Sequence, residues 1–497
     1  MGNRFLLGID LGTTVLKASV FDFANGRLVA GASRRLPVST DVAGKREQNP
    51  LDIDSALRAI ASELRSAVGR RWDAVAGIGL AAQGGSAIIA DRRSGDAHTQ
   101  MQLWNDSRPV SLLPGIAGMK PPGYWPRFSH MSAPGAGLAR IKWLRERHPE
   151  LFCADNIYIG AGEYLYFKLT GVWRQDVGNA LQIGCYSVPG RRLVAEPLRL
   201  VGVPLSFVAP MRHGHEMHPL AGSGRELLAM RGTAPVAGPY IDQEAGYLSV
   251  AGSSRRPLQC SLGTAWVGNL VCERRLPQRG GVRLVLPSPV GNGSLVVNAM
   301  AAGNVTWDWA LSAFAAPRFK AALATADRIF KESLLPHDGL VALPWLTRPN
   351  LFDTGRAGAG CFLGINAHTG RADLLRAVAA GLAFEFARMF EANCRADGFD
   401  SVALGGGASK GWFFRGIFAA LFDPVPVYCA EDEDVAGTRG VVYAFSRKVA
   451  GSALRRTGRV RPGLAEEVRM QYRYYLSVRQ AVTGSLPKAG RAGLGEG

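Results

Sequence analysis

Gly8-Ile9-Asp10-Leu11-Gly12-Thr13-Thr14-Val15-Leu16-Lys17 is the stretch on which the reading of the fold turns. Phe5 to Ile9 is a short apolar run, and Val15 to Phe21 alternates in part, with Lys17 and Ser19 as its polar members. Both predict strands, joined by a hairpin. Gly12 is expected to supply a backbone conformation closed to a side chain, and Thr13 and Thr14 put hydroxyls and free backbone N–H groups at the tip. Such a tip can hold a phosphate. Asp10 ends the first strand beside it, where a carboxylate can orient Mg²⁺ through water, because Mg²⁺ keeps several waters and takes few protein carboxylates. By itself the motif is equally an ordinary Asp-x-Gly-Thr hairpin, and on local grounds both readings stand.

A second copy shifts the balance. Gln259-Cys260-Ser261-Leu262-Gly263-Thr264-Ala265-Trp266-Val267-Gly268 repeats the Leu-Gly-Thr of residues 11–13, again between an apolar approach and a Val-containing exit, roughly half a chain away. A duplicated strand–turn–strand unit at that separation predicts two related lobes, each presenting one turn to a shared cleft. One turn per lobe can grip one polyphosphate.

The bulk properties fit that picture and narrow the function. A chain of 497 residues exceeds what one hydrophobic core supports, so two domains are expected. The net charge of +18 raises nucleic acid, membrane surface and anionic small molecules as partners. The basic residues are spread through helices and loops, as in Arg65, Arg70, Arg71, Arg140, Lys142, Arg145 and Arg147, and are densest from Arg447-Lys448 to Arg461. No nucleic-acid module accompanies them, so solvated faces are the leading reading, with a polyanion surface and the steering of ATP as the alternatives. The seven cysteines are scattered without a Cys-x-x-Cys pair, the pattern of buried thiols in a reducing compartment rather than of a zinc site or disulfide frame. The N-terminus runs straight into the first strand, and the most apolar region, Val75 to Ala90, is too short for a membrane span and is broken by Gln83, Gly84, Gly85 and Ser86. The expectation is a cytoplasmic protein with neither nucleic acid nor membrane as partner, a homodimer being left open.

Along the chain, Asn49-Pro50 starts a helix with Ile53, Leu57, Ile60, Ala61 and Leu64 at helical spacing. Ala76 to Ala82 predicts a buried strand whose end delivers Gln83 and a Gly-Gly pair, and strand ends are where open α/β sheets hold ligands. Helices follow over Leu138 to Arg147 and Gly160 to Leu169, after which the pattern weakens from Asp176 to Pro235. Val236 to Gly246 reads as a second loop of carboxylates and amides, with Asp242, Gln243 and Glu244, and as the crossing between lobes. Arg371 to Asn393 is a core-facing helix. Ser401 to Leu404 is a strand running into Gly405-Gly406-Gly407-Ala408-Ser409, with a helix over Trp412 to Phe422. A Gly-rich turn between strand and helix brings backbone close to a flat or anionic ligand.

The order of these motifs is what carries a resemblance: Ile9 to Thr14 with Lys17; Glu47-Gln48-Asn49-Pro50; Gly79 to Gln83 with Gly85; Leu103-Trp104-Asn105-Asp106-Ser107-Arg108; Glu163-Tyr164-Leu165 with Leu169-Thr170-Gly171; Gly238 to Asp242; Ser261 to Thr264; and Gly405 to Ala408. Over residues 4 to 482 the chain resembles the FGGY family of carbohydrate kinases, with a pentulose- or xylulose-kinase-like character. The resemblance implies an α/β fold of two ribonuclease-H-like (actin-like ATPase) domains with an inter-domain active-site cleft. It implies residues 1–247 as the sugar-binding domain with the first phosphate turn, 248–482 as the domain with the second phosphate turn and adenosine site, and 483–497 as a disordered tail. It implies ATP and Mg²⁺, and transfer of the γ-phosphoryl group to a hydroxyl of a small sugar such as a pentulose, or of a polyol.

Carried over residue by residue, the resemblance makes Asp10 the metal-side carboxylate and Asp242 the catalytic base. Thr13, Thr14 and Lys17 fall at the first phosphate turn, Gly263 and Thr264 at the second, and Gly406, Gly407 and Ala408 beside adenosine. Gln83, Asn105, Asp106 and Gln243 fall in the sugar pocket, although Asn105 and Asp106 also suit the cap of a turn. The chain departs from the family where many pentulose kinases carry a His after the first-loop Gln, here Gly84-Gly85-Ser86, and where a Gly-Glu-Arg-type segment is Thr347-Arg348-Pro349. Those departures leave the acceptor open, including a tetrose, a deoxysugar or a cyclitol. A catalytically silent sugar- or nucleotide-binding regulator is the rival from another class. The presence of both Asp10 and Asp242 argues against it, since a binding module needs neither a metal carboxylate nor a base.

Overall fold

The hairpin expected from the first motif forms: Phe5–Leu11 (β1) and Val15–Asp22 (β2) pair antiparallel, with Asp10 opposite Lys17. The computed structural model describes residues 5–273, 284–346, 360–394, 398–430, 435–451, 454–458 and 460–485. Leu28–Arg35 (β3) pairs antiparallel with β2, while Val75–Ala82 (β4) and Pro235–Ile241 (β6) lie parallel on the other side of β1. Met217–Pro219 (β5) closes the far edge antiparallel, giving the order β5-β6-β4-β1-β2-β3. Successive side chains of a strand point to opposite faces, and both faces here are covered. Phe5, Leu7, Ile9 and Leu11 join the core under the helix Pro50–Val68 (α1), and Leu6 joins the core on the other side. Helix α1 begins as predicted, with Pro50 in its first turn and the Asn49 side chain accepting from Leu51 N at 3.1 Å.

The second half repeats the plan. Pro257–Leu262 (β7), Trp266–Cys272 (β8), Leu284–Pro287 (β9), Ser294–Met300 (β10), Ser401–Gly405 (β11), Val427–Ala430 (β12) and Leu454–Arg456 (β13) form a sheet in the order β9-β10-β8-β7-β11-β12-β13. The antiparallel run β10-β8-β7 answers β3-β2-β1, the parallel run β7-β11-β12 answers β1-β4-β6, and β13 answers β5. Only β9 is added. A duplication suggested by three residues thus extends through two whole sheets.

The helices that follow the third parallel strand of each sheet cross over. Asp242–Leu248 (α3) leaves β6 and runs onto the second sheet, where a Cβ on Gly246 would stand 3.4 Å from Gln259 Oε1. Ala436–Gly440 (α6) returns to the first sheet, where a Cβ on Gly8 would overlap the Thr438 carbonyl and Thr438 Oγ1 donates to Ser19 Oγ at 2.9 Å. Arg439 donates to Gly26 O at 2.8 Å and lies 4.5 Å over the Phe21 ring, and Val441, Val442, Val449 and Ala450 are buried in the core on the Leu6 face of the first sheet, where a Cβ on Gly79 would overlap the Val441 carbonyl. A segment that the sequence counts with the second lobe therefore packs on the first. Between them, Val177–Ile183 (α2), Arg371–Cys394 (α4) and Trp412–Phe422 (α5) complete the helices used below. No helix among the described residues is long and apolar enough to cross a membrane. Cys153 is exposed, unlike the buried thiols expected, because it lies in a surface bend between Phe152 and the strand Asn156–Ile159. The last helix runs to Ser485 and so takes in the first three residues of the 483–497 tail expected to be disordered; the rest of that tail, like Thr347-Arg348-Pro349, lies outside the described residues.

Candidate active site

Three parallel strands end level with one another. Leu11 of β1 is in register with Ala82 of β4, and Ala82 with Ile241 of β6, so Asp10, Gln83 and Asp242 open on the same sheet edge. Two strand spacings separate the backbones of β1 and β6 there, about 10 Å. That gap suits a phosphoryl group. Gln83 N donates to Leu11 O at 2.8 Å and fixes the middle loop to the first strand. Residues 236–246, read from sequence as a loop, are a strand passing directly into α3. Gly238-Pro239 hid the strand: the register with β4 shifts between Ala237 and Tyr240, and Gly238 has φ 121° with its would-be Cβ 2.6 Å from Leu80 O, an irregularity that tolerates proline.

Asp242 occupies the floor of the cleft. Water reaches its carboxylate, yet protein surrounds it closely, and Gln243 N donates to its Oδ1 at 3.1 Å. Burial, with the Asp10 charge next, raises its pKa to about 7. Asp10 is raised as well by burial, against the pull of Lys17. Gly437 of α6 lies so close to Asp10 that a Cβ there would overlap Asp10 Oδ2.

Around the first turn, Gly12 N donates to Val15 O at 3.0 Å, Gln48 Nε2 to Thr13 O at 2.6 Å and Trp104 Nε1 to Thr13 Oγ1 at 3.1 Å, while Thr14 is exposed. Gly12 is not in the left-handed region expected of it. A Cβ there would instead stand 3.0 Å from Val15 O, so a tight contact, not φ, disfavours a side chain. Around the second turn, Asn304 N donates to Gly263 O at 3.1 Å, its Nδ2 donates to Leu262 O at 3.3 Å, and its Oδ1 accepts from Trp266 Nε1 at 2.9 Å. Thr264 is exposed at the tip. Gly406, with φ 87°, abuts this turn: a Cβ there would be 2.8 Å from the Leu262 backbone. The Gly-rich turn after β11 therefore touches the second Leu-Gly-Thr turn directly.

Family models match this chain in two blocks: the N-terminal domain of the FGGY family of carbohydrate kinases over residues 5–249, and its C-terminal domain over residues 258–447. The chain belongs to the FGGY family of carbohydrate kinases. A xylulose kinase of Bacillus subtilis is 23% identical over 89% of this chain and 88% of its own. Among solved structures, a xylulose kinase from Rhodospirillum rubrum matches with a TM-score of 0.83 at 21% identity, covering 97% of this chain and 99% of that one. A gluconate kinase from Lactobacillus acidophilus matches with a TM-score of 0.82 at 20% identity over 97% and 99%. The two halves are thus ribonuclease-H-like domains of the actin and hexokinase type, and the protein is an ATP-dependent sugar or polyol kinase.

Not every predicted site residue of the kinase faces the cleft. Asp106 is buried, and its carboxylate accepts from Arg46 N at 2.9 Å, Arg108 N at 3.1 Å and Arg108 Nε at 3.0 Å, with Arg108 held in turn by Glu47. It locks the turn and has no capacity left for a sugar, which is the capping alternative rather than substrate contact. Asn105 is exposed beside Trp104, whose ring is also largely open. Ala408 is buried in the second lobe's core, so it shapes the Gly-rich turn from behind while Gly407 is exposed. Gln83 is only 4% exposed, and neither end of its amide has a hydrogen-bond partner among the described residues; the same holds for Gln243 Oε1. Two supports escaped the sequence reading. Asn304 braces the second turn, and Asn179 of α2 accepts from Gly85 N at 3.1 Å while donating to Glu163 Oε1 at 3.1 Å. Glu163 and Asp176 are both buried, and burial with neighbouring carboxylates raises their pKa.

Proposed function

We propose that this kinase transfers the γ-phosphoryl group of ATP to a hydroxyl of a small sugar, such as a ketose, or of a polyol, with Asp242 as general base. The observation that carries the reading is Asp242 itself, open to the cleft at the end of β6, with a pKa lifted to about 7 and a carboxylate met by backbone N–H groups, Gln243 N among them. A sugar hydroxyl is a poor nucleophile near neutral pH, and a positioned base that accepts its proton contributes roughly 10²- to 10⁴-fold. The exposed Thr14 and Thr264, with Thr13, Lys17 and Gly263, stand where backbone and side-chain donors meet the phosphates from two sides. Gly406 and Gly407 provide the flat backbone beside which adenosine fits.

Asp10 suits the Mg²⁺ that accompanies ATP. No cluster of three or more protein ligands exists among the described residues, and a lone cleft-edge carboxylate is what a cation held mainly by phosphate and water requires. When bound, the cation neutralises charge on the transferred group and favours the ionised form of both carboxylates. Gln83, Gln243 and Asn105 then contact the acceptor, while Asp106 holds the turn that carries Asn105. Release of ADP measured across ketoses, alditols, cyclitols and aldonates tests the reading. Acceptor-dependent release is expected; tight acceptor binding without any release would make the protein a silent binder.

A further inference from the structure

Helix α2 places Gln182 over the loop Gln83-Gly84-Gly85-Ser86. A Cβ on Gly84 would overlap Gln182 Nε2, and a Cβ on Gly85, whose φ is +74°, would overlap Gln182 Oε1. The Gln182 carboxamide occupies the place a side chain at either glycine would take, and it would have to swing aside for one. The helix is held for this purpose at both ends: the Asp176 side chain caps it by accepting from Asn179 N at 2.9 Å, Gly184 closes it with φ 98°, and Asn179 ties it to Gly85 N. The glycine pair also abuts the rest of the cleft floor. A Cβ on Gly84 would be 2.5 Å from Ile241 Cδ1, next to Asp242, and one on Gly85 would be 3.4 Å from the Trp104 Cβ.

Three carboxamides therefore stand near the strand ends. Among the described residues Gln83 has both ends unpartnered and Gln243 has its oxygen unpartnered, these atoms all being buried, and Gln182 is half-buried with its amide against the loop. A buried amide group left unsatisfied is costly, so a ligand group that both donates and accepts is favoured beside it, and a hydroxyl does both. A carboxylate does not, and it would also approach Asp10, Asp176 and Asp242. Of the neighbouring guanidinium groups, Arg212 is paired with Glu244 at 3.0 Å, while Arg140 donates to the Trp104 carbonyl and its Nε has no partner among the described residues; three carboxylates set against that one guanidinium still favour a neutral acceptor.

Resting on the kinase reading above, we propose that Gln182 is a specificity-determining residue whose carboxamide, with those of Gln83 and Gln243, hydrogen-bonds the hydroxyls of a neutral polyhydroxylated acceptor. The same set of groups discriminates against aldonates. The test uses the full chain with xylulose, glycerol and gluconate as probes and Gln182→Met, which keeps the side-chain length and removes the amide. Wild type is expected to show kcat/KM for its best neutral acceptor at least about 100-fold above that for gluconate. Gln182→Met is expected to lose about tenfold in that kcat/KM, mainly through acceptor KM, with the KM for ATP unchanged. Gln182→Asn, which withdraws the amide by one methylene, gives the same loss and replaces the Met variant should that fail to fold. ADP release that persists with unchanged kcat/KM and unchanged acceptor ranking in these variants overturns the role of Gln182 alone. A wild-type preference for gluconate overturns the neutral-acceptor assignment, and no release with any acceptor overturns the kinase reading beneath both.

Discussion

Replacing Asp242 by Asn separates a base from a structural carboxylate, because the two roles predict opposite changes in stability. The Asp242 pKa is raised from the ordinary 3.8 to about 7, a difference that amounts to about 4 kcal/mol for a fully dry group. Cleft water reaches this carboxylate, so screening reduces that figure to about 1 kcal/mol. The folded state holds the proton more tightly than the unfolded chain does. The stabilising contribution is therefore complete below the ordinary carboxylate range and is lost as pH rises from about 4 through 7. Asn does not titrate. At pH 8, without ligands, Asp242→Asn is expected to melt about 1–3 °C above wild type, and near pH 4 the difference should vanish. Turnover should fall by roughly 10²- to 10⁴-fold while ATP affinity is kept. A capping role predicts the reverse, a loss of roughly 0.5–2 kcal/mol with normal turnover in the folded fraction. The cap position of α3 is Ile241 and carries no side-chain cap bond. Calorimetric melting at both pH values and turnover on the same preparation decide the matter; a folded Asn variant with wild-type turnover would refute the assignment.

Thr264→Val should lower turnover about tenfold with the melting temperature unchanged, since the residue is exposed at the tip of the second turn; an unchanged rate removes that turn from the mechanism. Acceptor kcat/KM should rise about tenfold per pH unit in acid and level off, with a midpoint at or below about 7 because a bound cation lowers it; a profile flat from pH 5 to 8 would contradict a titrating base. Asp106→Ala should cost about 2–3 kcal/mol in chemical denaturation by stranding Arg108 and Arg46 N, yet leave acceptor KM unchanged in the folded fraction. Gly437→Ala should reduce kcat more than tenfold in a steady-state assay, because its methyl group must displace the Asp10 carboxylate; full activity would place Asp10 outside the reaction.

What could be read locally was read well. The two Leu-Gly-Thr turns sit between apolar runs that allow little but strands, and α5 spans the predicted Trp412–Phe422. Gly238-Pro239 concealed β6 because proline argues against a strand until a neighbour shows the bulge that accommodates it. Seven residues with Gly178 among them give too few turns for a helical period, so α2 went unseen, and with it Gln182; only its Asp176 cap and the Gly184 stop are local signals. Sequence leaves Asp106 open between sugar contact and capping because one of the donors that decide it, Arg46 N, lies far back in the chain and is set beside it by the pairing of Arg46–Gln48 with Met101–Gln102. The role of Gly437 is of the same kind, set by a contact across more than four hundred residues.

The exchange of helices between lobes explains why one chain needs both halves to make one site. Asp10 and Asp242 are carried by β1 and β6 of the first sheet, so their separation is set by strand pairing and does not depend on the second lobe's position. The second lobe nevertheless reaches both: α6 rests its Gly437 on Asp10, and α3, which begins at Asp242, ends on β7 and β8, the strands that carry the second turn. These helices meet where Gly440 lies against the Ala245 carbonyl, a contact too close for any side chain. Both contacts are made by backbone: a Cβ at position 437 would overlap the Asp10 carboxylate and one at 440 the Ala245 carbonyl, so glycine at these two positions is what lets the segment after β12 lie this close to the ends of β1 and β6.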